Sequence, residues 1–382
     1  MPTRTLPLST PMSGLVALGL FGCIDNKGTL ELSEASADHT AFSAATSNLP
    51  AAFSAPAVTA LDNTPSDNPL TDAGATLGRA LFYDPRLSRE GTVSCASCHQ
   101  QDLAFADGMT LSEGVDGGLT RRHGMPLVNV RWYARSAMFW DERASTLEEQ
   151  VLMPIQDEVE MDLDLATLEV VLEVEPIYDD LFIDAFGDAE RSSDRVSLAL
   201  AQFVRAMVSA DAPYDVGLAD QGGDPRPDFA NFTVPENRGK SVFLGQAGCG
   251  DCHLSSAGRT RQASIFYIDE PTNNGLDRRT GADDGVGDIT GRAQDQGLFK
   301  SPSLRNVAVT GPYMHDGRLE TLTDVVEHYR RTVQPHPNLD PRLQRNGAQG
   351  ISNQDAADLV AFLETLTDEA FLTSPLLADP WQ

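Results

Sequence analysis

Cys95-Ala96-Ser97-Cys98-His99 decides how the rest of this chain is read, because Cys249-Gly250-Asp251-Cys252-His253 repeats its pattern 154 residues later. In C-x-x-C-H, two thiols one turn apart form thioether bonds to the vinyl groups of haem, and the adjacent histidine reaches the iron from the proximal side. A single copy also suits a thioredoxin-like dithiol or half of a zinc site. Two copies that use every cysteine except Cys23 take most of the force from those alternatives. The pattern predicts two haem c groups, attached at Cys95 and Cys98 and at Cys249 and Cys252, with His99 and His253 as proximal iron ligands.

The remaining composition fits that reading. The 382 residues have room for two or three domains, and 41% hydrophobic content is that of a globular protein. A net charge of −28 excludes nucleic acid as a partner, since phosphates would repel it. Lys27, Lys240 and Lys300 are the only lysines. Such an acidic surface serves solubility outside the cytoplasm or in salt first, and recognition of a basic electron donor second.

The one sustained apolar run, Leu15 to Gly22, is too short to span a bilayer and suits the hydrophobic region of a signal peptide. It ends in Leu20-Phe21-Gly22-Cys23, which resembles a lipobox with an unusual Phe21. Cys23 is then the lipidated residue; a plain signal peptide or a spare buried thiol are the alternatives. Export to the periplasm agrees with haem attachment, which occurs outside the cytoplasm, and leaves a lipid anchor as the only membrane contact. Residues 24–65, rich in Ala, Ser and Thr, read as a flexible linker.

Helical spacing appears over Asp72 to Tyr83, stopped by Asp84-Pro85, over 146–152, closed by Pro154 and followed by a loop to Met161, and over 163–174, 193–209, 235–243 and 323–331. A last helix begins at Ser352, with Asp355 in an approximate capping box, and buries Leu359, Phe362, Leu363 and Leu366. Gly and Pro crowd Asp220 to Pro227, which reads as the boundary between residues 66–225 and 226–382. Strand signals are few. The expected fold is mainly α, with two cytochrome c-type domains related as a diverged repeat. Asp283, Asp284 and Asp288 lie in a polar loop, Asp269 to Gln296; they lack EF-hand spacing, so a solvated loop is expected ahead of a calcium site.

Longer runs go further: Leu77-Gly78-Arg79-Ala80-Leu81-Phe82-Tyr83-Asp84-Pro85-Arg86-Leu87-Ser88, Phe139-Trp140-Asp141-Glu142-Arg143-Ala144, Pro154-Ile155-Gln156, Ser303-Leu304-Arg305-Asn306-Val307 and Gly311-Pro312-Tyr313-Met314-His315-Asp316-Gly317. Over about residues 66–370 the chain resembles the bacterial dihaem cytochrome c peroxidases, which include MauG-type enzymes. The resemblance implies a peroxidase that reduces hydrogen peroxide to water with electrons from a small donor protein, a cytochrome c or cupredoxin. A MauG-type oxidase, which uses peroxide or oxygen to oxidise residues of a partner protein, is the alternative. A non-catalytic electron carrier is the third reading.

By the same resemblance the first haem is peroxidatic and the second transfers electrons. Trp140 matches the tryptophan between the haems. Glu160 matches the distal acid–base residue, with Glu158 as the neighbour to be distinguished from it, and Gln150 and Pro154 match distal-side positions. Calcium is implied between the domains, with Asn129 giving a side-chain oxygen and Thr310 and Pro312 backbone carbonyls. The sixth ligand of the second haem, Met in ordinary peroxidases, falls fourteen residues after His315 on Tyr329, as in MauG-type enzymes. A phenolate is a hard anionic ligand that lowers potential, whereas thioether favours ferrous iron. The alternatives there are His328 or Met314. His123 is either a surface loop residue or a distal ligand of the first haem.

Overall fold

The computed structural model describes residues 49–256, 260–261, 264–345 and 348–382; Cys23, the predicted signal segment and most of the predicted linker lie outside the described residues. Two crossed helix pairs carry the fold. Helix α1 (Asp72–Tyr83) packs on α2 (Ser193–Ala206), and α3 (Val234–Leu244) packs on α4 (Asn353–Glu364). The Thr71 hydroxyl caps α1 by accepting from the Gly74 N–H at 3.0 Å. Ser352 and Asp355 form a reciprocal capping box on α4, as expected. Among the described residues, the only strands are a two-residue antiparallel pair, Ser255–Ser256 with Thr260–Arg261.

Each crossing is closed by one glycine. A Cβ on Gly78 would lie 2.0 Å from the Ala199 carbonyl oxygen, and one on Gly239 would lie 1.8 Å from that of Asp358. Next to each glycine stands a buried cation that binds carbonyls. Arg79 donates to Pro375 O and Leu376 O at 3.2 and 3.1 Å, and Lys240 donates to Pro225 O at 2.9 Å and to Pro227 O. The sequence repeat is thus a repeat of packing.

The halves meet at a paired latch. Asn129, at φ +58°, donates its backbone N–H to Met207 O at 3.0 Å, and its amide exchanges two 2.9 Å bonds with the Ser209 backbone. Asn306, at φ +59°, donates its backbone N–H to Leu366 O at 3.0 Å and accepts the Asp368 N–H at 2.7 Å. Asparagine tolerates this left-handed backbone better than most residues. The Ser209 hydroxyl then donates to Asp368 at 3.0 Å and joins the two sets.

Two large cores follow the repeat, but not at the expected boundary. Helix Pro213–Asp220, before that boundary, buries Tyr214 and Leu218 in the second core. The tail crosses back: Phe371, Leu372 and Leu377 belong to the first core, and Trp381 donates its indole N–H to Ala80 O at 3.1 Å. Residues 49–62, expected to be linker, pack instead, because Phe53, Val58 and Leu61 find an apolar bed of Trp132, Tyr133, Ile265 and Tyr267.

Local departures have plain causes. Pro154 opens a helical turn, Met153–Gln156, rather than closing the preceding one, since a proline in a first turn loses no hydrogen bond. A helix over Ile177–Phe186, not expected, starts after Pro176 and stops at Gly187, φ +90°. The 323–331 helix is α only over Leu322–Glu327 and widens to a π turn over His328–Thr332. The 269–296 loop contains a short helix, Val286–Thr290.

Candidate cofactor cavities and the residues between them

Each C-x-x-C-H turn opens on its own cavity. The first, about 530 Å³, is lined by Cys98, His99, Gln150, Pro154, Glu160 and Trp140. The His99 Nδ1 lies 2.8 Å from the Phe105 carbonyl, which fixes the proton on that nitrogen and leaves Nε2 for a metal. The second cavity has two adjoining lobes, about 160 and 370 Å³, that share Cys249, His253, Asn274 and Tyr329. Burial pulls the His253 imidazole down to about 4, so it stays in the neutral, ligating form. Burial also pushes Cys95 and Cys249 up to about 12 and Cys98 and Cys252 up to about 11. A reactive dithiol needs the opposite shift, so the rise here is the reverse of what a thioredoxin-like pair would show.

Four residues line both cavities: His123, Pro126, Trp140 and Lys300. Trp140 is buried, donates its indole N–H to the His123 carbonyl at 2.8 Å, and accepts the Lys300 backbone N–H at 2.8 Å. Its ring meets His315 edge-on at 6.4 Å, and His315 stacks on Phe299 at 3.7 Å. His123 is not a surface residue: it is 4% exposed, its Nδ1 lies 2.9 Å from Met109 O, and its backbone N–H donates to His315 O at 2.9 Å. Lys300 was missed in the sequence. Its ammonium donates to Ala137 O at 3.1 Å and sits 4.0 Å over the Tyr133 ring, and burial pulls it down to about 7. The signal was there, as one of only three lysines in an acidic chain.

The repeat sets one wall position of each cavity in register. Isolated bridges pair Met138 with Ala144 and Tyr313 with Leu319, and Thr146 and Thr321 cap the following helices. These equivalents are 175 residues apart, as are Trp140 and His315, and so are Pro154 and Tyr329. Where the second cavity has a phenol, the first has a ring with no donor atom.

Of the alternatives to Tyr329, His328 is engaged on both ring nitrogens, Nδ1 at 3.0 Å from the Thr332 hydroxyl and Nε2 at 3.1 Å from Asn274 O, and it lines neither lobe. Met314 lines one lobe, but its sulfur accepts from the Asn274 amide at 3.2 Å. Tyr329 lines both. Burial holds its phenol well above the usual range, so ionising it there requires a nearby cation.

Glu160 faces the first cavity beside His99, while Glu158 is exposed and lines neither cavity. Burial, reinforced by Asp157 and opposed by Arg143, pushes the Glu160 carboxyl up to about 7. Its backbone is fixed: Glu160 O accepts the Val115 N–H at 3.1 Å, and a Cβ on Gly114 would strike Val159 O at 2.0 Å.

The expected calcium set does not assemble on Asn129. Its amide bonds the Ser209 backbone at both ends, and the side-chain oxygen of its counterpart Asn306 accepts from the Asp368 N–H. Thr310 and Pro312 instead line the second cavity with His123. The loop acids are engaged too. Arg122 holds Asp283 at 2.8 and 2.7 Å, Arg121 holds Asp288 at 2.9 Å, and Asp284 accepts from Thr280.

Two thiol-bearing turns, each with a histidine aimed into a cavity, define a dihaem c protein. The comparisons agree. The family described as di-haem cytochrome c peroxidase matches residues 72–222. The methylamine utilization protein MauG of Methylorubrum extorquens is 39% identical over 318 residues, covering 82% of this chain and 84% of its own. The cytochrome c551 peroxidase of Nitrosomonas europaea is 33% identical over 310 residues, covering 79% and 83%. A solved MauG-like protein associated with microbial copper homeostasis superposes with a TM-score of 0.71 at 32% identity, covering 84% of this chain and 97% of that one. The chain belongs to the dihaem cytochrome c peroxidase and MauG family, and is an oxidoreductase that carries two haem c groups. Among the described residues no helix is long and apolar enough to cross a membrane.

Proposed function

We propose that this chain activates hydrogen peroxide in its first cavity and reduces it to two waters with two electrons and two protons. One observation carries the reading: Glu160, poised near 7, faces the cavity in which Pro154 stands where the second repeat has Tyr329. Bound haem supplies the redox chemistry there. Glu160 takes the proton from one peroxide oxygen and returns it to the leaving one, which requires a carboxyl that titrates near the working pH. Gln150 orients the peroxide from the same wall. Trp140, on the wall of both cavities, relays electrons between them. Tyr329 and His253 would hold the second iron, and Cys95, Cys98, Cys249 and Cys252 would hold the two cofactors. Calcium has no part in this reading at Asn129.

The main reading takes the electrons from a small donor protein. The acidic surface favours a basic one, so turnover falls as salt rises; a flat salt profile removes the basic donor. Tyr329 in place of Met favours the second reading, in which a partner protein's own residues are oxidised, as does the similarity to MauG. Periplasmic residence and a lipid on Cys23 complete the proposal; loss of membrane fractionation in Cys23→Ser tests the anchor. The deciding experiment pairs electron paramagnetic resonance of the oxidised protein with peroxide turnover. One high-spin and one low-spin haem, with turnover on a reduced cytochrome c, supports the main reading. A high-spin haem with oxidation of a partner protein and no cytochrome turnover supports the second. Two low-spin, peroxide-inert haems refute both.

A further inference from the structure

The family resemblance implies a cation between the two repeats, yet Asn129 is committed to the latch. We propose that the His123 imidazole stands in for that cation, so that a side chain ties the repeats together and positions Trp140. Backbone carbonyls of both repeats gather on this ring. Met109 O lies 2.9 Å from Nδ1, and the backbones of Thr110 and Thr310 also face the imidazole, with Asp107 as the nearby charge. A metal ion between domains would collect carbonyl oxygens of this kind. The ring is buried, and its Nε2 has no partner among the described residues.

The backbone of the same residue completes the tie. Its N–H donates to His315 O at 2.9 Å and its carbonyl receives the Trp140 indole at 2.8 Å. His315 is the repeat counterpart of Trp140, so His123 holds both members of the pair at the junction of the cavities. His123 is therefore a positioning residue, and its imidazole takes the place in the nest that an ion would fill.

The test measures calcium on the dihaem protein by elemental analysis and by calorimetric titration with calcium chloride after chelation. Wild type is expected to hold none and to give no binding heat. His123→Asn, which trades the ring for a single amide oxygen, is expected to gain about one calcium per chain. About one calcium in wild type, removed by chelator with a change in tryptophan fluorescence, overturns the proposal, and this reading holds even when His123→Asn fails to fold. A spectroscopic arm rests on the two-haem reading and separates the remaining case. His123→Gln is expected to perturb the spectra of both haems, because the residue borders both cavities. Conversion of a single low-spin haem to high-spin would instead make His123 an iron ligand and overturn the positioning role. The calcium measurement is unaffected by which haem reacts with peroxide.

Discussion

The two repeats are built alike and finished differently. Both cross their helices over a glycine, both follow it with a buried cation, and both place a left-handed asparagine at the latch. They part on the cavity walls, at Trp140 against His315 and at Pro154 against Tyr329. Tyr329 points a phenol into the second cavity, whereas Pro154 offers the first no ligand atom and leaves its far wall to Gln150 and Glu160. On the proposed function, a duplicated scaffold would take on two chemistries by changing residues of the cavity wall, while the glycine-closed helix crossings are kept.

The largest expected effect comes from removing the acid–base group proposed for the first cavity. Glu160→Gln should lower peroxide turnover by roughly 10²–10⁴-fold with haem content unchanged. The wild-type rate should rise with pH through about 7, as the carboxylate that acts as base forms, and then level. The glutamine variant should lose that rise, and a retained inflection near 7 would assign it elsewhere. Tyr329→Met sharpens the contrast from the other side: the low-spin haem signal changes and its potential rises, because thioether favours ferrous iron, while the high-spin signal stays.

Smaller effects ask whether the scaffolds are equal. Gly78→Ala and Gly239→Ala each force a methyl against a carbonyl and should cost about 1–3 kcal/mol, read as lower midpoints in denaturant. Matching losses mark equivalent crossings. Ser209→Ala removes one bond across the latch and should cost about 0.5–1.5 kcal/mol, the least of the set.

Much of this was legible in the sequence, because covalent chemistry and helix ends are local. The C-x-x-C-H turns, the Asp72–Tyr83 helix with its Asp84 stop, and the Ser352–Asp355 box all depend on neighbours within a few residues. Glu160 and Tyr329 were named through family likeness, and the structure adds where they face. What escaped depends on distant partners. Asn129 looks like any loop amide until Ser209 comes beside it, and His123 looks like a surface histidine until Met109 and His315 close over it. The Ile177–Phe186 helix was readable from Pro176 and Gly187 but lacks a strong one-sided apolar face. Pro154 was misread because proline both ends and begins helices.

The tail that returns from the second repeat makes the first core depend on residues beyond the second. Phe371, Leu372, Leu377 and Trp381 complete the first core, and Tyr83 donates to Leu377 O at 2.7 Å. A fragment ending at the boundary between the repeats would therefore lack part of its own first core and expose the apolar faces that these residues cover. A label placed beside Trp381 would report on the first repeat and not on the one it follows in sequence.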